Sequence, residues 1–223
     1  MPLYADAKRR FFSLVAKQIP STENIESEFE DRDRLNVARW GFTVERFRNS
    51  MVETYREFMI RVSRSPQLKT EEQISRIATS VLRRRASRMP YVGLALQRLS
   101  TDFRLVLLTK GEYQLQSRRV SESGLSAFFE RVVIVDHKDP VTFKRLLAEL
   151  HTKPRSAWSV GDSLRSDIWP ALNAGLGAVW IPQGTWSYEE ANVPLEGLRF
   201  KRLNSIRKLS TLLHTVGKEA SKR

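Results

Sequence analysis

From Pro90 onward the chain repeats one pattern, in which a short run of branched apolar residues is followed by a helical stretch and then by another run. The runs at 105–108, 132–135, 157–160 and 178–181 have the length of strands, and the stretches 93–99, 114–123, 140–150 and 168–174 read as helices between them. A strand that feeds a helix returns to its own sheet as a parallel neighbour. The alternation therefore predicts an α/β fold built on a Rossmann-like, doubly wound parallel sheet.

The first part of the chain has a different texture. Leu3, Ala7, Phe11, Leu14 and Val15 recur at helical spacing, as do Val44, Phe47, Met51, Tyr55, Phe58 and Met59, and then Ile74, Ile77, Ala78, Val81 and Leu82. Thr43 stands where an N-cap belongs, Arg64-Ser65-Pro66 interrupts the second stripe, and a further helix is expected near 24–36. The expected division is a helical domain over 1–89 and an α/β core over 90–223. Trp40, Phe42, Phe47, Tyr55 and Phe58 read mostly as helix core, and Trp180, Trp186 and Tyr188 as packing after the last strand.

Composition narrows the chemistry. The 223 residues include no cysteine, so disulfides, thiolate metal sites and a cysteine nucleophile are excluded. No apolar run approaches the ~20 residues of a membrane span, and no signal-peptide core is visible, so a cytoplasmic location without membrane association is expected. Thirty-eight basic against 25 acidic residues give +13. The basic residues are dispersed, and the densest knot, Arg83-Arg84-Arg85 with Arg88, carries no interleaved aromatics, so nucleic-acid binding is not expected. The tail from Lys218 to Arg223 is expected to fray.

Doubly wound sheets bind ligands at the carboxyl ends of their strands. Three polar groups fall there: Thr109-Lys110-Gly111 after the first run, Lys138 after the second, and Gly161-Asp162-Ser163-Leu164-Arg165-Ser166-Asp167 after the third. The Thr109 hydroxyl and the Lys110 and Gly111 amides can donate to phosphoryl oxygens. Lys138 can offset developing negative charge, and Asp162 offers hard oxygen to Mg²⁺, with Asp167 placed to bind the metal's waters or orient Lys138. Each group alone is an ordinary turn, cap or surface lysine. In this order, at strand ends, they form a phosphate and magnesium rim.

That combination resembles the haloacid dehalogenase superfamily, in particular its Mg²⁺-dependent phosphatase branch with a helical cap. Thr109 matches the second motif, Lys138 the third, and Gly161-Asp162-Ser163 with Asp167 the fourth, while residues 1–89 look like the cap. The resemblance implies hydrolysis of a small phosphorylated substrate through an aspartyl-phosphate, with Mg²⁺ as cofactor. One motif is missing: family members carry a strand ending in Asp-x-Asp before the cap, and Met1-Pro2-Leu3-Tyr4 already starts a helix. Asp31-Arg32-Asp33 has that spacing, but Glu28-Phe29-Glu30 ahead of it is no apolar strand, so the pair reads as a solvated helix or loop face. The resemblance places the missing strand centrally, between the strands at 105–108 and 157–160. A late start codon, a truncation or true loss would each explain the gap, and the expectation is an inactive 223-residue chain whose complete form has its nucleophile upstream. The competing readings are a non-catalytic binding or regulatory protein of the same fold, and a metal-independent 2-haloacid dehalogenase.

Overall fold

The computed structural model describes residues 2–19, 23–83, 88–183, 186, 189, 194–195 and 197–220, and the chain divides into two units, Met1–Ser87 and Arg88–Arg223. The first unit consists of α1 (Pro2–Ala16), α2 (Ile25–Trp40), α3 (Val44–Arg61) and α4 (Leu68–Arg83). Each of the three apolar stripes becomes the inward face of a helix. Phe11, Phe29, Phe47, Met51, Tyr55 and Ile74 are all solvent-free. Their rings meet edge-on or tilted, with Phe29 5.8 Å from Phe11 and 6.0 Å from Phe47, the geometry aromatic quadrupoles favour. The Thr43 side chain accepts from the Arg46 amide at 3.0 Å and so starts α3.

One expectation in this unit is corrected. Asp31 lies on an exposed face, pairing with Arg34, but Asp33 is 0% exposed and ion-paired with the equally buried Arg46. The apolar stripe of α3 gave no sign of it, because Arg46 is the charged residue that α3 turns inward.

The second unit opens with α5 (Val92–Leu99) and continues through β1 (Val106–Lys110), α6 (Tyr113–Ser123), β2 (Arg131–Val135), α7 (Pro140–Glu149) and β3 (Trp158–Gly161). A single π-turn, Leu164–Ile168, leads into α8 (Trp169–Asn173), then β4 (Gly177–Trp180), β5 (Phe200–Arg202) and α9 (Leu209–Ala220). All pairings are parallel. β1 pairs with β2 from Val106↔Arg131 to Lys110↔Val135, β3 with β4 from Trp158↔Gly177 to Gly161↔Trp180, and β4 with β5.

The strands form two sheets, β1-β2 and β3-β4-β5, and among the described residues no ladder joins β1 to β3. Yet the same helix layers cover both sheets. On one face Leu105 and Trp158 pack against Leu99 of α5 and Leu209 and Leu213 of α9. On the other, Leu108 and Ala157 pack against Phe143 and Leu147 of α7 and Ala171 of α8. In a parallel sheet covered on both faces the inner strands are the most buried. Here β4 is the buried one, whereas every residue of β1 is only half-buried and Val160 of β3 is 39% exposed. Among the described residues, the inner edges of β1 and β3 therefore have no neighbouring strand between the two helix layers.

β5 and α9 lie beyond the alternation read from sequence. Arg84, Arg85, Tyr188 and residues 221–223 of the expected frayed tail fall outside the described residues, and α9 continues to Ala220. None of the described helices is long and apolar enough to cross a membrane.

Candidate active site

The carboxyl ends of β1, β2 and β3 meet at one rim. Thr109 and Lys110 are the last two residues of β1, opposite Ile134 and Val135, and Gly111 makes the turn with φ 128°, a conformation open to glycine and costly for other residues. Its amide donates to the Val135 carbonyl at 3.0 Å and so closes the β1-β2 ladder rather than facing outward. The Thr109 hydroxyl makes no side-chain hydrogen bond to any described residue, which leaves its donor available at the rim.

Lys138 follows β2 by three residues, just before Asp139, whose carboxylate caps α7 by accepting from the Thr142 amide at 2.7 Å. The Lys138 ammonium donates to Asp167 Oδ1 at 2.6 Å, and Asp167 Oδ2 accepts from the Ser163 amide at 3.1 Å. This pair ties the end of β2 to the loop after β3 without a ladder. It depends on Gly161: a Cβ there would lie 2.2 Å from Asp167 Oδ2 and 2.3 Å from its carboxyl carbon.

Local bonds shape the loop after β3. Ser163 accepts from the Ser166 amide at 2.8 Å as an N-cap, and the Ser163 carbonyl accepts from both the Asp167 and Ile168 amides, at 2.9 and 3.2 Å. The second of these widens the turn from α to π, and Pro170, which lacks an amide hydrogen, follows directly. Asp162 stands at the loop's outer end, with its carbonyl accepting from Trp180 Nε1 at 2.9 Å. Asp162 is solvent-exposed as a residue, and its carboxyl is nonetheless pushed above the ordinary aspartate range, first by partial desolvation and then by the neighbouring Asp167 charge.

Two carboxylates that repel each other, beside an available hydroxyl and a lysine, suit a hard dication. Mg²⁺ is commonly held by one or two carboxylates, with waters and substrate oxygens completing its shell. Asp162 and Asp167 can supply that pair, although no cluster of three or more metal-ligating side chains exists among the described residues.

Sequence reading did not reach one buried carboxylate at this rim. Glu189, 7% exposed, comes in from the segment after β4 and accepts from Lys110 Nζ at 2.8 Å. The Lys110 side chain also bonds Ser166, so its cation is engaged within the protein. Burial alone would raise the Glu189 carboxyl, but the Lys110 charge and the bonds from Lys110, Ser163 and Ser166 outweigh it and hold the group below the ordinary glutamate range. Lys110 is itself pushed below the ordinary lysine range, because its desolvation exceeds the pull of Glu189 and Asp167. The carboxylate, with its several donors, is the more firmly ionised partner. No sequence signal marks Glu189, which lies 79 residues from Lys110 with no motif around it.

Residues 138–197 match a family model described as HAD-hydrolase-like. Glyceraldehyde 3-phosphate phosphatase of Pyrococcus furiosus is 35% identical over 86 residues, 36% of this chain and 36% of that protein. N-acylneuraminate-9-phosphatase of Mus musculus is 29% identical over 132 residues, 56% of this chain and 51% of that one. The chain thus spans about a third to a half of the curated relatives it matches. Among solved structures, a haloacid dehalogenase-like family hydrolase from Xanthomonas campestris superposes with a TM-score of 0.80 at 23% identity, covering 99% of this chain and 87% of that one. An L-2-haloacid dehalogenase from Xanthobacter autotrophicus shares the fold at a TM-score of 0.57. The doubly wound fold is the one these haloacid dehalogenase-like structures share. The family-model match and the phosphatase relatives support a hydrolase of the haloacid dehalogenase superfamily.

Proposed function

We propose that the complete protein is a Mg²⁺-dependent phosphatase that acts on a small phosphorylated metabolite through an aspartyl-phosphate, with the nucleophilic aspartate on a strand outside residues 1–223. The observation that carries this reading is that, among the described residues, no ladder joins β1 to β3 although common helix layers cover both, beside a rim holding Thr109, Lys138, Asp162 and Asp167. A parallel strand entering that space would end at the rim, where its carboxylates would meet the substrate.

In the completed site the Thr109 hydroxyl donates to an oxygen of the transferring phosphoryl group. Lys138, aimed by Asp167 at 2.6 Å, offsets charge on the nucleophile and the phosphoryl oxygens. Asp162 and Asp167 would hold Mg²⁺, which would supply further charge neutralisation. Attack by the aspartate carboxylate forms the O–P bond as the bond to the leaving alkoxide breaks, and water then releases phosphate and regenerates the carboxylate. We read the four-helix unit, by its resemblance, as a cap domain. The Lys110 and Gly111 backbone contributes through the shape of the turn, since the Gly111 amide is already bonded.

The test compares Mg²⁺-dependent hydrolysis of p-nitrophenyl phosphate by the 223-residue chain with that by the same chain preceded by an apolar strand ending in Asp-x-Asp. Loss of a nucleophile costs ~10⁴-fold to ~10⁶-fold, so the first is expected to show no turnover and the second to release p-nitrophenol. Robust turnover by the 223-residue chain would overturn the proposal. The dehalogenase fold neighbours favour one second reading, halide release from a 2-haloacid without added metal, which the same pair of proteins can be assayed for.

A further inference from the structure

We propose that Glu189 is a positioning residue for the metal-side loop, fixing where Asp162 and Asp167 present their oxygens. This rests on the reading of the rim as a magnesium and phosphate site. Its basis is the connectivity of one buried carboxylate. Glu189 Oε1 accepts from Lys110 at the end of β1 at 2.8 Å, and Oε2 accepts from both the Ser163 and Ser166 hydroxyls, the latter at 2.7 Å. Each serine is then polarised in one direction. The Ser163 oxygen accepts from the Ser166 amide while its hydrogen goes to Glu189, and the Ser166 oxygen accepts from Lys110 while its hydrogen also goes to Glu189.

The loop is therefore held from two sides. Lys138 and Asp167 hold it from β2, and Lys110 and Glu189 hold it from β1. Ser163 belongs to both brackets, because its amide binds Asp167 and its hydroxyl binds Glu189. A shift of Glu189 must move Ser163, and with it the adjacent Asp162 and the bonded Asp167. Trp186 is also buried, and its carbonyl accepts from the Glu189 amide at 3.1 Å. A carboxylate buried this deeply persists only where its lone pairs are satisfied, and here its donors among the described side chains, Lys110, Ser163 and Ser166, come from rim elements. Supporting groups that orient metal ligands typically change metal affinity ~10-fold to ~100-fold when removed.

The test is a Mg²⁺ titration of the full 223-residue chain, followed by calorimetry and by tryptophan fluorescence, since Trp180 Nε1 is bonded to the Asp162 carbonyl. Glu189→Gln keeps the shape and removes the charge, and it is expected to weaken Mg²⁺ binding ~10-fold or more. Ser163→Ala removes one hydroxyl of the same bracket and covers the case in which Glu189→Gln fails to fold. It is expected to weaken binding in the same direction, by less. Lys110→Met with Glu189→Gln should cost less than the sum of the two single changes. Mg²⁺ affinity within twofold of wild type in Glu189→Gln, or in Ser163→Ala where the first does not fold, overturns the positioning role alone, even if melting temperature falls. Absence of any Mg²⁺ response in the wild-type chain overturns the metal reading of the rim and this role with it.

Discussion

Gly161 and Glu189 decide the rim at the level of single residues, one by what it lacks and the other by what it carries. A methyl group at Gly161 must displace Asp167, which is not a loose side chain but one pinned by Lys138 and the Ser163 amide. Gly161→Ala is expected to cost ~1 to 3 kcal/mol, as overpacking does, and a cost of 1 kcal/mol shifts the melting temperature by ~2 to 4 °C at this chain length. Thermal melting checks this, and combining the change with Lys138→Met should cost less than the sum, because both break the same ion pair. Glu189 adds a pH dependence of known sign. Its folded-state carboxyl is held below the ordinary value, so the stability it contributes is present above the unfolded value of about 4.3 and is lost as pH falls through the folded one. The stability gap between wild type and Glu189→Gln, measured by urea unfolding, should hold steady at neutral pH and narrow as pH drops below about 4.3.

Among the elements, α2 and α3 illustrate how far periodicity carries. The apolar stripe of α3 marks its core face and Thr43 marks its start, and both are seen in the fold. The stripe is silent about Arg46 and Asp33, because hydrophobic spacing has no term for a charged residue turned inward toward a partner on another helix. Removing one member of a buried pair leaves an uncompensated charge at ~3 to 5 kcal/mol. Asp33→Ala should therefore destabilise the chain on that scale in urea unfolding, and Asp33→Leu with Arg46→Met should recover much of the loss. The strands divide in the same way. β2, β3 and β4 fall within a residue or so of their apolar runs, while β1 extends over Thr109 and Lys110, polar residues held in the ladder by Ile134 and Val135 across from them. β5 was not legible at all, since Phe200-Lys201-Arg202 has one apolar residue and is a strand only because β4 offers it an edge. The rim divides likewise: Lys138, Asp162 and Asp167 follow from strand-end position, whereas no local pattern marks Glu189, whose partner Lys110 lies 79 residues away.

For the whole molecule, the division of the strands into two sheets outweighs any single contact. Ion pairs at the rim and two helix layers hold β1 and β3 in one unit while no described strand pairs with their inner edges, and an unpaired edge is a template for another strand. A five-residue parallel strand seated there could form about ten hydrogen bonds to its two neighbours, each worth ~1 kcal/mol net. Part of that gain is offset by the entropy of ordering the strand, ~1 to 2 kcal/mol per residue for the backbone. Burial of its apolar side chains against both helix layers adds to the favourable side. The gain belongs to the strand's backbone and apolar residues and not to its carboxylates, so stability and chemistry can be separated. Joining an apolar strand ending in Asn-x-Asn ahead of residue 1 is expected to raise the melting temperature by at least ~5 °C, given ~2 to 4 °C for each kcal/mol. Hydrogen exchange at the β1 and β3 amides should slow at the same time, with no phosphatase activity gained. Restoring the aspartates in that strand should leave the melting temperature close to the Asn form and bring turnover. If neither strand slows exchange at β1 and β3, the space between the two sheets does not receive a strand, and the rim must be completed by some other element.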